Sequence, residues 1–232
     1  MNKDIAKLMS FIAGFADTTG FVALHGLFLA HVTGNFVTLG AAVSQGTSGM
    51  IGKLLALPIF CITLLATRFL GNVYEREGRS AFMPLFAFEA LLLTFGAFLA
   101  LYHGPFIGAD ESPLLIVGML WVMAMAIQNG IHRIHMKGCP PTTVVTGSTT
   151  QIMLDFTDLL MGKQSNIQAT KQQLKGLLSS VFFFALGCAS AAVSYSFVSI
   201  WCFVVPPVLS VITLYLLRRN PLHNSDEEGM YE

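Results

Sequence analysis

Long apolar runs separated by short polar turns follow one another along the chain, and this pattern predicts helices that cross a membrane. A crossing helix needs about 20 mostly apolar residues. Six runs meet that length, and the pattern fixes their ends to within about two to four residues. They lie at about 8–28, 52–72, 82–102, 113–132, 176–196 and 198–218. The pattern therefore predicts an all-α integral membrane protein with six transmembrane helices.

The composition is typical of a protein that is surrounded by lipid rather than by water. Of the 232 residues 54% are hydrophobic and only 11% are charged, whereas a soluble domain carries roughly a quarter charged residues. The formal net charge is zero and no basic stripe is present, so nothing favours nucleic acid as a partner. The first apolar run resembles a signal peptide, but Asp17 interrupts it and no clear cleavage site follows. We expect an uncleaved first helix and no soluble domain.

Two further apolar stretches, at about 33–45 and 142–161, are too short or too polar to cross a membrane alone. The first is followed by a polar loop, and the second begins after a Pro-Pro pair and contains two aspartates. Both are typical of half-helices or re-entrant segments.

The basic residues favour a topology in which both short stretches return to the side from which they enter. Cytoplasmic loops carry an excess of Lys and Arg. In this arrangement only Lys53 falls outside, and the cytoplasmic set is Lys3, Lys7, Arg68, Arg76, Arg79, Arg133, Lys137, Lys163, Lys171, Lys175, Arg218 and Arg219. We therefore expect six spans with both termini in the cytoplasm.

Each half of the chain contains the same short pattern at a similar spacing. Asp17 precedes a Thr-Gly-Asn step by 16 residues (17 to 33), and Asn129 precedes a Thr-Gly-Ser step by 17 (129 to 146). The first half, 1–110, and the second half, 111–219, each read helix, short segment, helix, helix, and a polar tail, 220–232, follows. Because each half has an odd number of spans, the second half is expected to be inverted relative to the first, as in many transporters.

The two steps are suited to the start of a helix inside the membrane. Asn, Ser and Thr are good N-caps, and the first N–H groups of a helix lack partners within it. Two such helix starts, one from each face, would present free N–H groups and positive dipole ends to a polar site near the midplane. The alternative is that Thr, Gly and Ser only let helices pack closely. The residues expected along a solute path are Asp17, Thr33, Gly34, Asn35, Asn129, Thr146, Gly147 and Ser148.

Four segments together resemble the signature segments of the YoaK-like family of bacterial inner-membrane proteins (domain of unknown function 1275). They are GFADTTGF (14–21), HVTGNFVTLG (31–40), AMAIQNGIHR (124–133) and TTVVTGSTT (142–150). The resemblance covers about residues 11–218 and departs from the family pattern after the second step, at Gln151-Ile152-Met153. It implies a location in the bacterial inner membrane and a multi-pass architecture, and it supplies no substrate.

Ionisable residues inside predicted spans are costly in lipid and tend to be functional. Asp17 is a candidate for a proton or cation relay, or for holding the end of a half-helix. The alternative is a hydrogen-bonded side chain that ties helices together. Glu89 is a second candidate for proton or ion coupling, and the alternative is an ion pair with Arg68 or with another basic group on the cytoplasmic side. No ligand spacing supports a metal site, and no cofactor is expected.

Histidines and aspartates near the predicted span ends are expected to be solvated. The histidines are His25 and His31 at the outer entrance and His132 and His135 at the inner one; the aspartates are Asp155 and Asp158, facing Lys163. Because histidine titrates near neutral pH, a gating or proton-transfer role is the alternative for the histidines.

A permease for a small solute or anion, either a secondary transporter or a channel, is the function that these features favour. No P-loop is present, so any energy source would be an ion gradient. A membrane-embedded enzyme is disfavoured because no G-x-S-x-G or H-E-x-x-H motif occurs, and we expect no catalytic residue. A non-catalytic scaffold or sensor is the other alternative. Besides the lipid bilayer, a homo-oligomer is an allowed partner, since Gly187, Ala191 and Ala192 form a small-residue face.

Overall fold

A computed structural model describes residues 3–136, 139–143, 145–162 and 167–219, and within these ranges the chain is all-helical. The helices are α1 (Lys3–Ala23), α2 (Gly34–Gln45), α3 (Met50–Arg76), α4 (Phe82–His103), α5 (Ser112–His135), α6 (Val145–Leu160), α7 (Ile167–Val198) and α8 (Val205–Arg219), with a 3-10 turn at Ser199–Val204 between the last two. The predicted polar tail and two of the lysines expected in the cytoplasm, Lys137 and Lys163, lie outside the described residues.

Five stretches of the described ranges are long and apolar enough to cross a membrane. Four of them coincide with α1, α3, α4 and α5, and the fifth joins α7, the 3-10 turn and α8 into 53 residues, Ile167–Arg219. The prediction of an all-α membrane protein is confirmed, whereas length and composition do not confirm a sixth span. The two short stretches form α2 and α6, which have 12 and 16 residues.

Two helix ends differ from the predicted bounds. α1 ends at Ala23 rather than near residue 28 because His25 and Gly26 have φ values of 53° and 81°, which a right-handed helix cannot accommodate. α7 begins at Ile167 rather than near 176, so the polar stretch before the predicted span is helical from 167 onwards and continues into the span.

The outer surfaces of the long helices are apolar. Leu65, Phe69, Phe98 and Phe182 have exposed fractions of 72%, 68%, 60% and 62%. A continuous apolar surface of this kind is unfavourable in water and suits a lipid environment.

α1 and α7 run parallel and in close contact. The Ser10 and Ser180 hydroxyl oxygens are 3.0 Å apart, and four residues further along each helix Gly14 lies against the carbonyl of Phe184. α3 and α5 also run parallel, since residues 52 and 71 of α3 pack on residues 115 and 134 of α5. Glycine is required at the α1–α7 crossing because a Cβ on Gly14 would overlap the Phe184 carbonyl, whereas the glycines of α3 face only side-chain atoms at their contacts with α5.

α4 and α5 run antiparallel. At one end the rings of Phe82 and His135 are 5.8 Å apart, and further along Trp121 Nε1 donates to the Leu93 carbonyl at 3.2 Å. α1 is antiparallel to α5, because Gln128 Nε2 donates to the Met9 carbonyl at 3.0 Å, while α1 ends towards the start of α5. The two ends of this bundle differ in the charged residues that they carry.

We call the end that holds the start of α1 and the end of α5 the basic end; it carries Lys7, Arg76, Arg79 and Arg133. The opposite end carries Asp110, which accepts hydrogen bonds from the backbone N–H groups of Gly49 and Ile51 at 2.8 and 3.3 Å. Lys53, the basic residue expected outside, lies at this opposite end and is buried.

Gly187→Ala is expected to destabilise the α1–α7 contact. The new Cβ would overlap the Phe11 carbonyl and lie 2.9 Å from the Phe15 nitrogen, and overpacking of this kind costs about 1–3 kcal/mol. Thermal unfolding of the purified protein measures the loss. Gly40→Ala is the matched control: nothing lies within 4 Å of its added Cβ, and helix propensity improves. Equal stability of both variants would contradict the close contact.

Candidate functional site

The Asp17 carboxylate holds the segment that precedes α2. Its Oδ1 accepts hydrogen bonds from the backbone N–H groups of Leu29, Ala30 and His31 at 2.8, 2.7 and 3.1 Å, and its Oδ2 accepts from His31 at 3.1 Å. Asp17 is buried, so these charge-assisted bonds form away from water. This arrangement matches the expected role of holding the end of a half-helix; a proton or cation relay at Asp17 stays a prediction.

The tether places the start of α2 inside the bundle. Asp17 lies six residues before the end of α1 at Ala23 (17 to 23), which is about 9 Å along a helix. The chain leaves α1 at its end, returns by that depth to bond Asp17, and begins α2 at Gly34. The segment before α2 therefore turns back alongside α1 before α2 begins.

Asn35 completes the fixing of this segment. Its amide group makes two hydrogen bonds to Phe28, one to the backbone N–H and one to the carbonyl, each 2.8 Å long. This pairing imitates a β-ladder, so non-helical backbone at this depth is hydrogen-bonded without water. Asn35 is thus a structural clamp for the segment and does not cap α2.

The expectation of free N–H groups at the start of α2 is wrong. The N–H groups of Gly34, Asn35 and Phe36 donate to the carbonyls of residues 31, 32 and 33 at 2.8, 3.1 and 3.2 Å. The Thr33 side chain makes no capping bond. A tight first turn satisfies the donors that an N-cap would otherwise leave for a ligand.

Asn129 provides the equivalent tether in the second half. Its Nδ2 donates to the Thr143 hydroxyl at 2.7 Å, in the segment that precedes α6. Asn129 lies six residues before the end of α5 at His135 (129 to 135), the same offset as Asp17 in α1. Thr143 follows Asn129 by 14 residues, as His31 follows Asp17. Both short helices are therefore held at the same depth below the helix end that precedes them.

The residues expected along the solute path differ in how exposed they are. Asp17, Asn35 and Ser148 are buried, whereas Thr33, Thr146 and Gly147 are exposed; Gly34 and Asn129 are half-buried. α2 packs on α3 and α6 packs on α7, so the two steps lie against different helices. Only the exposed members are available to contact a solute directly.

Glu89 lies in the interior of α4, is fully buried, and has no hydrogen-bond partner for either carboxylate oxygen within the described ranges. The alternative of an ion pair with Arg68 is wrong, because Arg68 Nη1 lies 3.6 Å from Glu75 at a half-exposed position. Gln128 was not a candidate from the sequence alone. It is fully buried on α5, and its Oε1 has no hydrogen-bond partner among the described residues.

The expected solvation of the end-of-span groups is partly wrong. His132 is buried and bonds the backbone carbonyl of Pro140. Asp155 is buried and accepts from Gln151 Nε2 at 2.6 Å, while its expected neighbour Lys163 lies outside the described residues. Sequence position placed both groups near the span ends, but His132 contacts Pro140 in the segment before α6, and Asp155 is buried by tertiary packing.

A cavity of about 850 Å³ opens at the basic end, between the start of α1, the start of α7 and the segment before α6. Its polar lining comes from Asp4, Lys7, Cys139, Gln172, Gln173, Lys175, Ser179 and Ser180. Lys7 is paired with Asp4 at 2.7 Å, so Lys175 adds a net positive charge to the lining. Such a cavity can admit a polar or anionic solute.

Comparison with known proteins places these features in a family. The sequence model described as "Protein of unknown function (DUF1275)" matches residues 5–216. The UPF0700 transmembrane protein YoaK of Bacillus subtilis (strain 168) is 29% identical over 163 residues, which is 69% of this chain and 69% of that protein. No solved structure matches. The family match includes all four segments on which the predicted resemblance rests, and it confirms that resemblance.

Asp17→Ala is expected to release the segment before α2. It removes the acceptor for three backbone N–H groups, and each buried donor left unpaired costs about 1–3 kcal/mol. Hydrogen exchange at Leu29, Ala30 and His31, followed by mass spectrometry, should accelerate at least about tenfold, since 1.4 kcal/mol is a factor of ten. Asp4→Ala, an exposed position on the same helix, should leave this exchange unchanged. Unchanged exchange in Asp17→Ala would show that the tether does not hold the segment.

Proposed function

The chain belongs to the DUF1275 family of proteins of unknown function, and we propose that it is a permease for a small polar solute or anion. The observation that carries the proposal is the pair of matching tethers. Asp17 and Asn129 each lie six residues before a helix end and each bond a residue 14 positions later. Two re-entrant helices held in this way from opposite ends of a bundle are a recurring feature of transporters and channels.

The helix packing supports an inverted repeat in this proposal. The first helix of each half lies parallel to the second long helix of the other half: α1 with α7, and α5 with α3. Each short helix packs on the next long helix of its own half, α2 on α3 and α6 on α7. Exchanging the halves leaves this set of contacts unchanged, as a pseudo-two-fold axis in the membrane plane requires.

We propose six crossings, with α8 as the sixth. A straight helix of 53 residues would be about 80 Å long, more than twice the thickness of the hydrocarbon layer. The helix breaks at Ser199, where φ is 49°, and α8 packs on α1 and α4. Arg218 and Arg219 would then join the other basic residues at the basic end. By the positive-inside rule that end, with both termini, faces the cytoplasm of the bacterial inner membrane.

The solute path in this proposal runs from the cavity at the basic end to the exposed steps on α2 and α6. Thr33 and Thr146 are exposed hydroxyl-bearing residues at the starts of α2 and α6, where Gly147 leaves the surface open, and lipid cannot hydrogen-bond a hydroxyl group. They are suited to line a path that water and a polar solute share. The net positive charge of the cavity lining favours an anion. No catalytic role is proposed for any residue.

Ligand-induced thermal stabilisation tests the proposed solute site. Inorganic phosphate, small carboxylates and uncharged amides serve as the probes. A ligand at a hundred times its dissociation constant adds about 2.7 kcal/mol, which raises the melting temperature by about 5–10 °C. Thr33→Val and Thr146→Val should reduce that shift, because valine keeps the shape and removes the hydroxyl.

Thr157→Val is the matched control, since Thr157 is exposed on α6 and donates only to the Met153 carbonyl, at 2.8 Å. A shift that both path variants leave intact would place the solute elsewhere. A panel without any shift would argue against a polar-solute permease and favour a scaffold.

Cysteine labelling tests the inverted repeat. In a background without Cys61, Cys139, Cys188 and Cys202, Thr33→Cys should react with a membrane-impermeant maleimide only from outside intact cells. Thr146→Cys should react only from the cytoplasmic side of inverted vesicles. Both positions are exposed, so reactivity reports the side of access rather than burial. Labelling of both from one side would contradict the inversion.

A further inference from the structure

Glu89 differs from the other buried carboxylates of the spans because nothing satisfies it. Asp17 accepts four hydrogen bonds, whereas Glu89 is 0% exposed and both of its oxygens lack a partner within the described ranges. No charged side chain there interacts electrostatically with it. An unpaired carboxylate in such a site costs several kcal/mol, and a buried carboxyl group avoids that cost by holding a proton.

The register of α4 against α5 places Gln128 at the level of Glu89. Glu89 lies seven residues after Phe82 (82 to 89), and Gln128 lies seven residues before His135 (128 to 135), the two residues whose rings meet. Seven residues are close to two helical turns, so Glu89 and Gln128 lie on the two faces that contact each other. The Gln128 Nε2 is bonded to the Met9 carbonyl, which leaves its Oε1 as an unpartnered acceptor at this level.

Gln128 begins a row of polar atoms on α5 that leads to the basic end. His132 and His135 follow at positions i+4 and i+7, so the three side chains share one helix face. The Nε2 atoms of both histidines are buried and unpartnered within the described ranges. One helical turn, about 5–6 Å, separates successive members, and one water molecule bridges polar groups over such a gap.

From this arrangement we infer that Glu89 is a proton-binding site that exchanges its proton with the basic end through the row Gln128, His132 and His135. The proton enters at His135 Nε2, passes to His132 Nε2, and reaches a Glu89 oxygen at the level of Gln128. His132 Nδ1 is the ring nitrogen that bonds the Pro140 carbonyl, because its Nε2 has no partner. That bond leaves Nε2 as the atom that accepts and releases the proton.

The charged groups near the row of Gln128, His132 and His135 lie beside its two histidines, towards the basic end. Arg68 and Glu75 of α3 act on His135, and Arg133 of α5 acts on His132. α1 contributes the Met9 carbonyl, and α8, which packs on α4, carries the buried and uncharged Ser210 and Thr213. The described side chains near Glu89 are therefore neutral. A bound proton is then what neutralises the Glu89 carboxylate. In the described residues no group of three or more His, Cys, Asp or Glu is placed to hold a metal ion.

A proton site in this position would couple solute movement to a proton gradient, and this last link rests on the proposed permease function. The proton site itself does not rest on it. Because α4 contacts both α5 and α8, any change in their packing would alter the surroundings of Glu89 and its hold on the proton.

Infrared spectroscopy of the purified protein tests the proton site without any solute. The carbonyl stretch of a protonated carboxyl group should be present, should shift in D₂O, and should be absent in Glu89→Gln. Absence of a band that Glu89→Gln removes, over the whole pH range in which the protein stays folded, would overturn the proton site.

The rate of the D₂O shift tests the row. His132→Asn keeps a donor for the Pro140 carbonyl and lacks the Nε2 atom, so it should slow exchange at Glu89 at least tenfold. His135→Phe should have a similar effect. His103→Phe, an exposed histidine at the other end of α4, is the control and should exchange at the unaltered rate.

Melting temperatures separate a route from a structural role, because a structural role lowers stability without slowing exchange. Unaltered exchange rates in folded His132→Asn and His135→Phe would overturn the row while leaving the Glu89 site. Failure of the permease proposal would be seen instead as a missing solute-induced shift alongside an intact Glu89 band.

Discussion

Hydrogen bonding of non-helical backbone inside the bundle is the constraint on which the rest of this structure depends. Lipid offers no partner for a backbone N–H or carbonyl group, and each one left unpaired at membrane depth costs several kcal/mol. The chain between α1 and α2 meets this requirement with two buried side chains, Asp17 for three successive N–H groups and Asn35 for both backbone groups of Phe28. Without them the segment could not return into the bundle, and α2 could not begin there.

The same requirement explains why the two halves resemble each other only in part. Asn129 holds Thr143 through one side-chain bond, whereas Asp17 holds three backbone groups with a charge. The carboxylate of Asp17 and the amide of Asn129 thus each hold the segment that precedes a short helix, at matching positions of the two halves. Close helix contacts then fix the tethers in space: Gly14 and Gly187 allow α1 and α7 to approach at backbone distance, and Gly187 is therefore used inside the fold rather than on a dimer face.

Most polar groups discussed above are satisfied, and those that are not call for an explanation. Buried polar atoms without partners are rare in native structures. Among the described residues, Glu89 of α4 and Gln128, His132 and His135 of α5 carry such atoms along the contact between these two helices, while Thr19, Thr142, Asp155 and Ser210 carry others elsewhere. In the proposed permease, this contact between α4 and α5 would supply a group whose charge changes during the transport cycle. The Thr-Gly steps at the starts of α2 and α6 would then contact the solute, and the contact between α4 and α5 would bind the proton.

The sequence by itself determined the membrane class, the long helices, the two short segments near 33–45 and 142–161, and the family. These follow from apolar run length and short motifs, which are local properties. Tertiary structure decided the rest. Asp17 and Asn35 are clamps because of backbone groups 7 to 14 residues away, which no helical or strand period indicates. The burial of His132 and the unpartnered state of Glu89 depend on which helices surround them. Partners in space set the cost of a buried charge, and a linear pattern of residues does not contain that information.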